Sequence, residues 1–414
     1  NVNIHKNSRI LPKLSRIKQD TNIPNMLLLR HCICMIVPST LLRGCAMREM
    51  RPRDRVLTAL KRGVPDKVPW IENDIEEGLQ EQIMGTTSFT PGELCEKLGM
   101  DGFGYHFPMG GKASAGQAFQ AAVGFKESYY YPQKVTFDFV PPWIAEMGVT
   151  EDGRTFIKKG LLTSKETLKL FDEYLPDPDH PARYDIVSKW LAQYKGDYAV
   201  FARIRLGSAS LLESMGIIEF SYNLYDHPDL VKEVHRRFSE WSVKVVEHLN
   251  QMDFDFYWAN DDLADTKQPW MNREVYQEFF LPYQKIVAHA IKKPWVFHSD
   301  GNLFPLLNDL ITLGMNGIHP IQPAAMDIRQ MKAKYGNRVC ILGNIDLDYT
   351  LTLGTPEEVN REVKERIAVA GQGGGYIVTS ANSLTDYCKV ENVWAMAQAI
   401  KKYGKYPLDL NLFK

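Results

Sequence analysis

The chain has 414 residues, 44% of them hydrophobic and 24% charged, with a formal net charge of −1. That is a globular composition with ample apolar material for a large core, and so small a net charge gives no electrostatic footing for nucleic acid or an anionic membrane surface. The first 46 residues stand apart. They carry seven basic residues (Lys6, Arg9, Lys13, Arg16, Lys18, Arg30 and Arg43) against the single acid Asp20, and three of the six cysteines, Cys32, Cys34 and Cys45. Without them the remainder holds 42 basic and 49 acidic residues. The apolar run "MLLLRHCICMIVPSTLL" is broken by Arg30 and His31, which makes it a poor membrane span. A signal peptide, an organellar leader and upstream sequence translated ahead of a start at Met47 or Met50 all fit this segment, and the last is preferred. Residues 1–46 are therefore set aside as an N-terminal extension, and residues 47–414 are expected to form the folded domain.

From residue 47 onward short apolar runs alternate with longer helical patterns. The runs are "KVPWIEND" (67–74), "DGFGYHF" (101–107), "YAVFARIR" (198–205), "FDFYWANDD" (254–262), "PWVFHSDGN" (294–302), "GIHPIQP" (317–323), "RVCILGNID" (338–346) and "GYIVTSAN" (375–382). The segment "TPEEVNREVKERIAVAGQGGG" predicts a helix: Thr355 can cap it, Pro356 suits its first turn, and Val359, Val363 and Ile367 recur every four residues before the glycines end it. "LFPLLNDLITLG" (303–314) repeats that logic and stops at Gly314, and "LVKEVHRRFSEWSVKVVEHL" is amphipathic in the manner of a packing helix. Strand, helix, strand, eight times over, predicts an α/β fold, a single-domain (β/α)8 TIM barrel. The stretch 108–197 holds more than one connection, and "QKVTFDFVPP" within it reads as a hairpin or lid. A doubly wound open sheet is the competing architecture; it wants a glycine-rich phosphate turn, of which Met109-Gly110-Gly111 is only a weak suggestion. Cys95, Cys340 and Cys388 form no metal-ligand spacing with one another, so free thiols in a reducing, cytoplasmic setting are expected.

Side chains at i and i+2 of a strand share a face, and the active site of such a barrel lies at the carboxyl ends of its strands. Four polar pairs fall there: Arg203 with Arg205, Asn260 with Asp262, His298 with Asp300, and Asn344 with Asp346. His298 and Asp300 suit either a metal site or acid–base work, the carboxylate orienting the imidazole. Arg203 suits a substrate carboxylate, although Asp74 or Glu72 could instead pair with it inside the fold. Asp261 and Asp262 are candidates for substrate or metal contact, or for capping the next helix. Asn344 and Asp346 could do no more than shape a turn, and Ser380 and Asn382 are weaker candidates for hydrogen-bonding a ligand.

The motifs "RPRDRVLTALKRGVPDKVPW", "YWANDDLADTKQPWMNREVYQEFFLPYQKIV", "VFHSDGNLFPLLNDLITLGMNGIHPIQP", "ILGNIDLDYTLTLGTPEEV" and "GGYIVTSANSLTDYCKVENVWAMAQAIKKYGKYP", in this order over residues 51–407, resemble the uroporphyrinogen decarboxylase superfamily, including its cobalamin-linked methyltransferase branch. The resemblance implies a (β/α)8 barrel and a homodimer. The true decarboxylases carry an Arg-Gln-Ala-Gly-Arg segment after the first strand to hold a polycarboxylate. This chain has "WIENDIEEGLQEQ" there, with Glu72, Asp74, Glu76 and Glu77 and no arginine. The family's Phe-Ser-Asp becomes "YHFP", and its late histidine falls at Asn382. The methyltransferase branch holds zinc with a His-x-Cys strand end and a late cysteine. Here those positions are His298, Asp300 and again Asn382, a harder donor set.

The expected function is therefore methyl transfer from a small donor to a corrinoid protein. In that scheme His298 and Asp300 hold a divalent metal such as zinc or act as an acid–base pair, with Asp262, Glu72 or His319 as a third ligand. Asp262 polarises or ligates, and Arg203 orients an anionic group. Arg205, Glu72, Asp74, Asn344 and Asn382 complete the candidate substrate contacts. The corrinoid would ride on a separate carrier protein. The alternative is a decarboxylase acting on uroporphyrinogen or a smaller carboxylate, with Arg203 and Arg205 as the carboxylate grip; a non-catalytic ligand-binding barrel is the third reading.

Overall fold

The computed structural model of the protein describes residues 49–106, 145–151, 155–175, 177–179 and 181–413. The N-terminal extension, Phe107, the Met109-Gly110-Gly111 turn and the "QKVTFDFVPP" segment lie outside the described residues. The chain divides after Met47, and the fold below is that of residues 48–414.

Seven of the eight apolar runs form the strands of one parallel sheet. These are β1 (Gly102–His106), β4 (Ala199–Ile204), β5 (Phe256–Asn260), β6 (Trp295–His298), β7 (Gly317–His319), β8 (Cys340–Leu342) and β9 (Tyr376–Ile377), ordered β1-β4-β5-β6-β7-β8-β9. A separate antiparallel hairpin, β2 (Ala145–Val149) and β3 (Thr155–Gly160), lies between β1 and β4 in the chain. Every neighbouring pair in the large sheet is parallel, and helices such as Pro228–Leu249 and Pro356–Ala370 carry the crossovers.

The expected first strand is not one. Residues 67–72 cross the gap between β9 and β1 through single contacts. Trp70 bridges Val378, the Val378 amide donates to the Pro69 carbonyl at 2.9 Å, and the Asp101 amide donates to the Trp70 carbonyl at 2.7 Å. Pro69 has no amide hydrogen, so the segment cannot sustain a ladder. Among the described residues the sheet is consequently curled and TIM-barrel-like but open, with seven strands rather than the closed eight-stranded barrel expected from the sequence.

Alternation along the strands separates two cores. Ala199, Phe201, Phe256, Trp258, Val296, Cys340, Leu342 and Ile377 point inward and pack together, whereas Val200, Ala202, Tyr257, Phe297, Ile318, Ile341 and Tyr376 face the helices. Helix Pro52–Leu60 buries Val56, Ala59 and Leu60 against the inner core and so stops the amino end of the sheet. Its Arg55 is almost wholly buried, gripping Asp66 at 2.6 and 2.8 Å and pairing with Asp101. Thr355 caps the helix at 356–370 in a capping box with Glu358, and Val359, Val363 and Ile367 are fully buried, each contributing on the order of 1.5–3 kcal/mol. The run at 303–314 is helical only from Leu307 to Leu310, tightens to a 3₁₀ turn at Ile311–Leu313, and ends at Gly314 with φ 88°. The described cysteines, Cys95, Cys340 and Cys388, are buried free thiols. Among the described residues no helix is long and apolar enough to cross a membrane.

Candidate functional site

The inward-facing positions that are apolar deep in the sheet become polar at its carboxyl edge. On β5 the series Phe256, Trp258, Asn260 runs on to Asp262; on β6, Val296, His298 and then Asp300; on β7, Gly317 and His319. Register pairs Asn260 with His298 and His298 with His319 across adjacent strands, so these ends meet. Gly301 turns the chain immediately afterward with φ +85°. A Cβ there would lie 2.4 Å from the Asp265 carbonyl, so no other residue fits without moving the loop that carries Asp262.

Asp262, His298 and Asp300 offer ligand atoms that all lie within 4.8 Å of one another, a cluster able to hold a metal ion. His298 is buried and Asp262 half-exposed, their Nε2 and Oδ1 being 3.7 Å apart. The Asp300 amide donates to Asp262 Oδ1 at 3.0 Å, and the Asn382 side chain donates to Asp300 Oδ2 at 2.6 Å. Asp300 Oδ1 is buried with no partner. Burial raises the Asp300 carboxyl above the usual range and the Asp262 charge adds to this, while His298 and the Asn382 hydrogen bond pull the other way. On the far side of His298, the His319 Nδ1 lies 2.6 Å from His298 Nδ1.

The other sequence candidates lie around this cluster in different states. Arg203 meets Asp74 at 3.2 Å, and its Nε is buried without a partner. Arg205 pairs with Glu213 at 2.5 Å, and burial raises that carboxyl despite the guanidinium beside it. Asn344 donates to the Ile321 carbonyl at 2.6 Å and borders a cavity of ≈ 390 Å³ together with Met326, Arg329 and Arg366; none of the three cluster residues lines it. Asp346 accepts from the Tyr349 and Thr350 amides at 2.9 and 3.1 Å, shaping its turn. Asp261 is wholly buried and accepts from the Ala209 amide at 2.9 Å and the Gln284 side chain at 2.9 Å, fixing the start of helix Ser208–Met215. His319 figures in the sequence only as a candidate third ligand; its strand position in register with His298 is the signal for its actual place.

Glu72 is buried. It accepts from Trp70 Nε1 at 2.7 Å and from the Ser380 hydroxyl at 2.6 Å, and burial lifts its carboxyl from 4.5 to about 7. A carboxyl raised in this way gives the fold its full stability below the unfolded value and loses it as pH climbs from about 4.5 through about 7. Glu72→Gln is therefore expected to match the wild type near pH 4 and to be more stable at pH 8, by up to ~3 kcal/mol. Urea unfolding at the two pH values reads this directly, and a pH-independent difference would contradict it.

Comparison with known proteins follows the same lines as the geometry. A family model described as uroporphyrinogen decarboxylase (URO-D) matches residues 205–403, a span that contains Asp262, His298, Asp300 and Asn382. The methylcobamide:CoM methyltransferase MtbA of Methanosarcina mazei is 23% identical over 374 residues, covering 86% of this chain and 99% of that protein. The uroporphyrinogen decarboxylase of Cellvibrio japonicus is 27% identical over 188 residues, 43% of this chain and 49% of that enzyme, so the chain aligns with about half of its length. A methyltransferase structure from Methanosarcina mazei superposes with a TM-score of 0.60 at 17% identity, over 86% of this chain and 99% of that one, which is a likeness of fold. The chain is thus similar over residues 205–403 to the uroporphyrinogen decarboxylase family, and over most of its length to a methylcobamide:CoM methyltransferase. These likenesses do not choose between the two activities.

Proposed function

We propose that the chain is an enzyme working at the Asp262–His298–Asp300 cluster, and that it removes CO2 from a small carboxylate. The observation that carries this is the cluster itself, an open strand-end group of acid and imidazole with the Arg203 cation on a neighbouring inward position. The family model that spans the cluster bears the decarboxylase name, and that name recurs among the relatives, which supports this reading over methyl transfer. Loss of CO2 breaks a carbon–carbon bond and leaves its electron pair on the carbon, where a proton must arrive. His298 and Asp300 stand where such a proton can be delivered, and Arg203 can orient the anionic end of the substrate. Arg203 and Arg205 each already face a carboxylate, Asp74 and Glu213 respectively. Little positive charge is left over for a molecule with many carboxylates, so a small substrate fits better than uroporphyrinogen.

Methyl transfer to a corrinoid protein is the second reading, favoured by the end-to-end alignment with a methyltransferase. There Asp262, His298 and Asp300 would hold a divalent cation, which as a Lewis acid would polarise the oxygen or nitrogen of the methyl donor or acceptor. The donor set fits such an ion: three ligand atoms within 4.8 Å and a buried Asp300 oxygen with no other partner. Among the described residues, then, the same three side chains can serve either chemistry.

One pair of assays separates the readings. Release of labelled CO2 from a panel of small carboxylates is expected from the purified enzyme, while methylation of free cobalamin from methylated donors should stay at background. The opposite pattern, with one tightly held metal ion per chain, would overturn the first reading in favour of the second.

A further inference from the structure

We propose that Ser299 is a positioning residue: its hydroxyl splices the loop that carries Asp262 to the end of β6 and so sets the spacing of Asp262 from Asp300. That role rests on reading the Asp262–His298–Asp300 cluster as the reaction centre. It grows out of the hydrogen-bond ladder between β5 and β6, which is regular as far as the cluster and departs from backbone pairing there.

In a parallel pair of strands a residue is held to its neighbour through both its amide and its carbonyl, at evenly spaced rungs. The Tyr257 amide donates to the Pro294 carbonyl at 2.9 Å, and the Asp261 amide to the His298 carbonyl at 2.9 Å. Two residues further along each chain, the next rungs would run from the Leu263 amide to the Asp300 carbonyl and from the Asp300 amide to the Asp261 carbonyl. Side chains take both places. The Leu263 amide donates to Ser299 Oγ at 3.0 Å, and that hydroxyl donates onward to the Asp300 carbonyl at 2.9 Å. The Asp300 amide donates to Asp262 Oδ1 at 3.0 Å. The backbone of Asp300 is thus joined to the facing loop by one hydroxyl and by one carboxylate of the cluster itself.

The inserted hydroxyl keeps the two chains apart by its own width without letting them separate. On one flank the Asp261–His298 rung fixes their distance, and on the other the Asn302 amide donates to the Asp265 carbonyl at 2.8 Å. Ser299 is 2% exposed, and its own amide donates to the His319 carbonyl at 3.2 Å, which ties the same residue to β7. These flanking bonds oppose closure of the gap to a direct Leu263–Asp300 bond. Without the hydroxyl, a buried amide and a carbonyl both lose their partner. Asp262 lies between Asp261 and Leu263, so its carboxylate moves when the second of these anchors is released.

Amide hydrogen exchange in the metal-free protein tests this without reference to any substrate. In Ser299→Ala the Leu263 and Asp300 amides are expected to exchange at least ~10-fold faster than in the wild type, while the Asp261 and Asn302 amides keep their protection. Unchanged exchange at Leu263 and Asp300 would overturn the proposal. A second arm measures turnover in whichever of the two assays above the wild type answers. Ser299→Ala should lose about 10- to 100-fold, and Ser299→Thr, which keeps a hydroxyl, should return to within a few-fold of the wild type. In an Asp262→Ala background, Ser299→Ala should change turnover by less than about two-fold, because it acts through the residue already removed. Losses that multiply would show Ser299 acting by another route, and would equally overturn the proposal. If Asp262→Ala alone is as active as the wild type, the reading of the cluster as the reaction centre falls, and hydrogen exchange still decides what Ser299 holds.

Discussion

Replacing Asp300 by asparagine is expected to lower turnover by roughly 10²- to 10⁴-fold while leaving the protein folded. The substitution keeps the shape of the side chain and an oxygen to accept from Asn382, but removes the ionisable group beside His298, which holds an acidic proton or, once that proton leaves, a negative charge. Stability should move the other way. The wild-type carboxyl is raised by burial, so its desolvation weakens the fold as pH rises past the unfolded carboxylate range, and the asparagine variant escapes that cost. Its melting temperature should therefore equal or exceed that of the wild type at neutral pH and approach it in acid. Activity within three-fold of the wild type, in whichever of the two reactions the enzyme performs, would remove Asp300 from the chemistry. A fall in activity accompanied by a fall in melting temperature would point to lost structure instead.

The second large effect lies at the opposite end of the sheet. Arg55→Ala should cost about 3–5 kcal/mol of folding stability. The guanidinium satisfies Asp66 with two hydrogen bonds, also pairs with Asp101, and donates to the Met50 carbonyl at 2.7 Å. Asp101 is 1% exposed, and its other oxygen accepts from the Trp70 amide at 2.9 Å. Truncation would strand that carboxylate in a dry environment just where residues 67–72 are held by single bridges. Arg55→Lys keeps the charge but lacks the fork that spans two carboxylates, and should fall between the two. Urea unfolding measures the series, and a loss below 1 kcal/mol for the alanine variant would mean that water or Lys67, 3.7 Å from Asp101, takes over the role.

How far these features could be read in advance depended on how local their causes are. The strand Trp295–His298 and the ionisable pair at its end were legible because a two-residue period and a Gly turn are properties of adjacent residues. The helix at 356–370 was equally legible, its cap, first-turn proline and four-residue apolar spacing all lying within one segment. "KVPWIEND" carried the apolar signature of a strand, yet Pro69 withheld an amide that a ladder there would have used. The fate of Glu72 was beyond local inspection, since it is settled by Ser380, 308 residues away. The same holds for Arg205: nothing in "YAVFARIR" announces that Glu213, one turn into the next helix, will sit against it. His319 was visible as a residue but not as a partner, because its relation to His298 exists only once the two strands lie side by side.

Helix Pro52–Leu60 gives the molecule a floor. Among the described residues, Val56, Ala59 and Leu60 pack into the inner core and fill the amino end of the sheet. As far as those residues go, a molecule handled at the strand tips leaves by the edge through which it came, so its departure competes with the arrival of its successor.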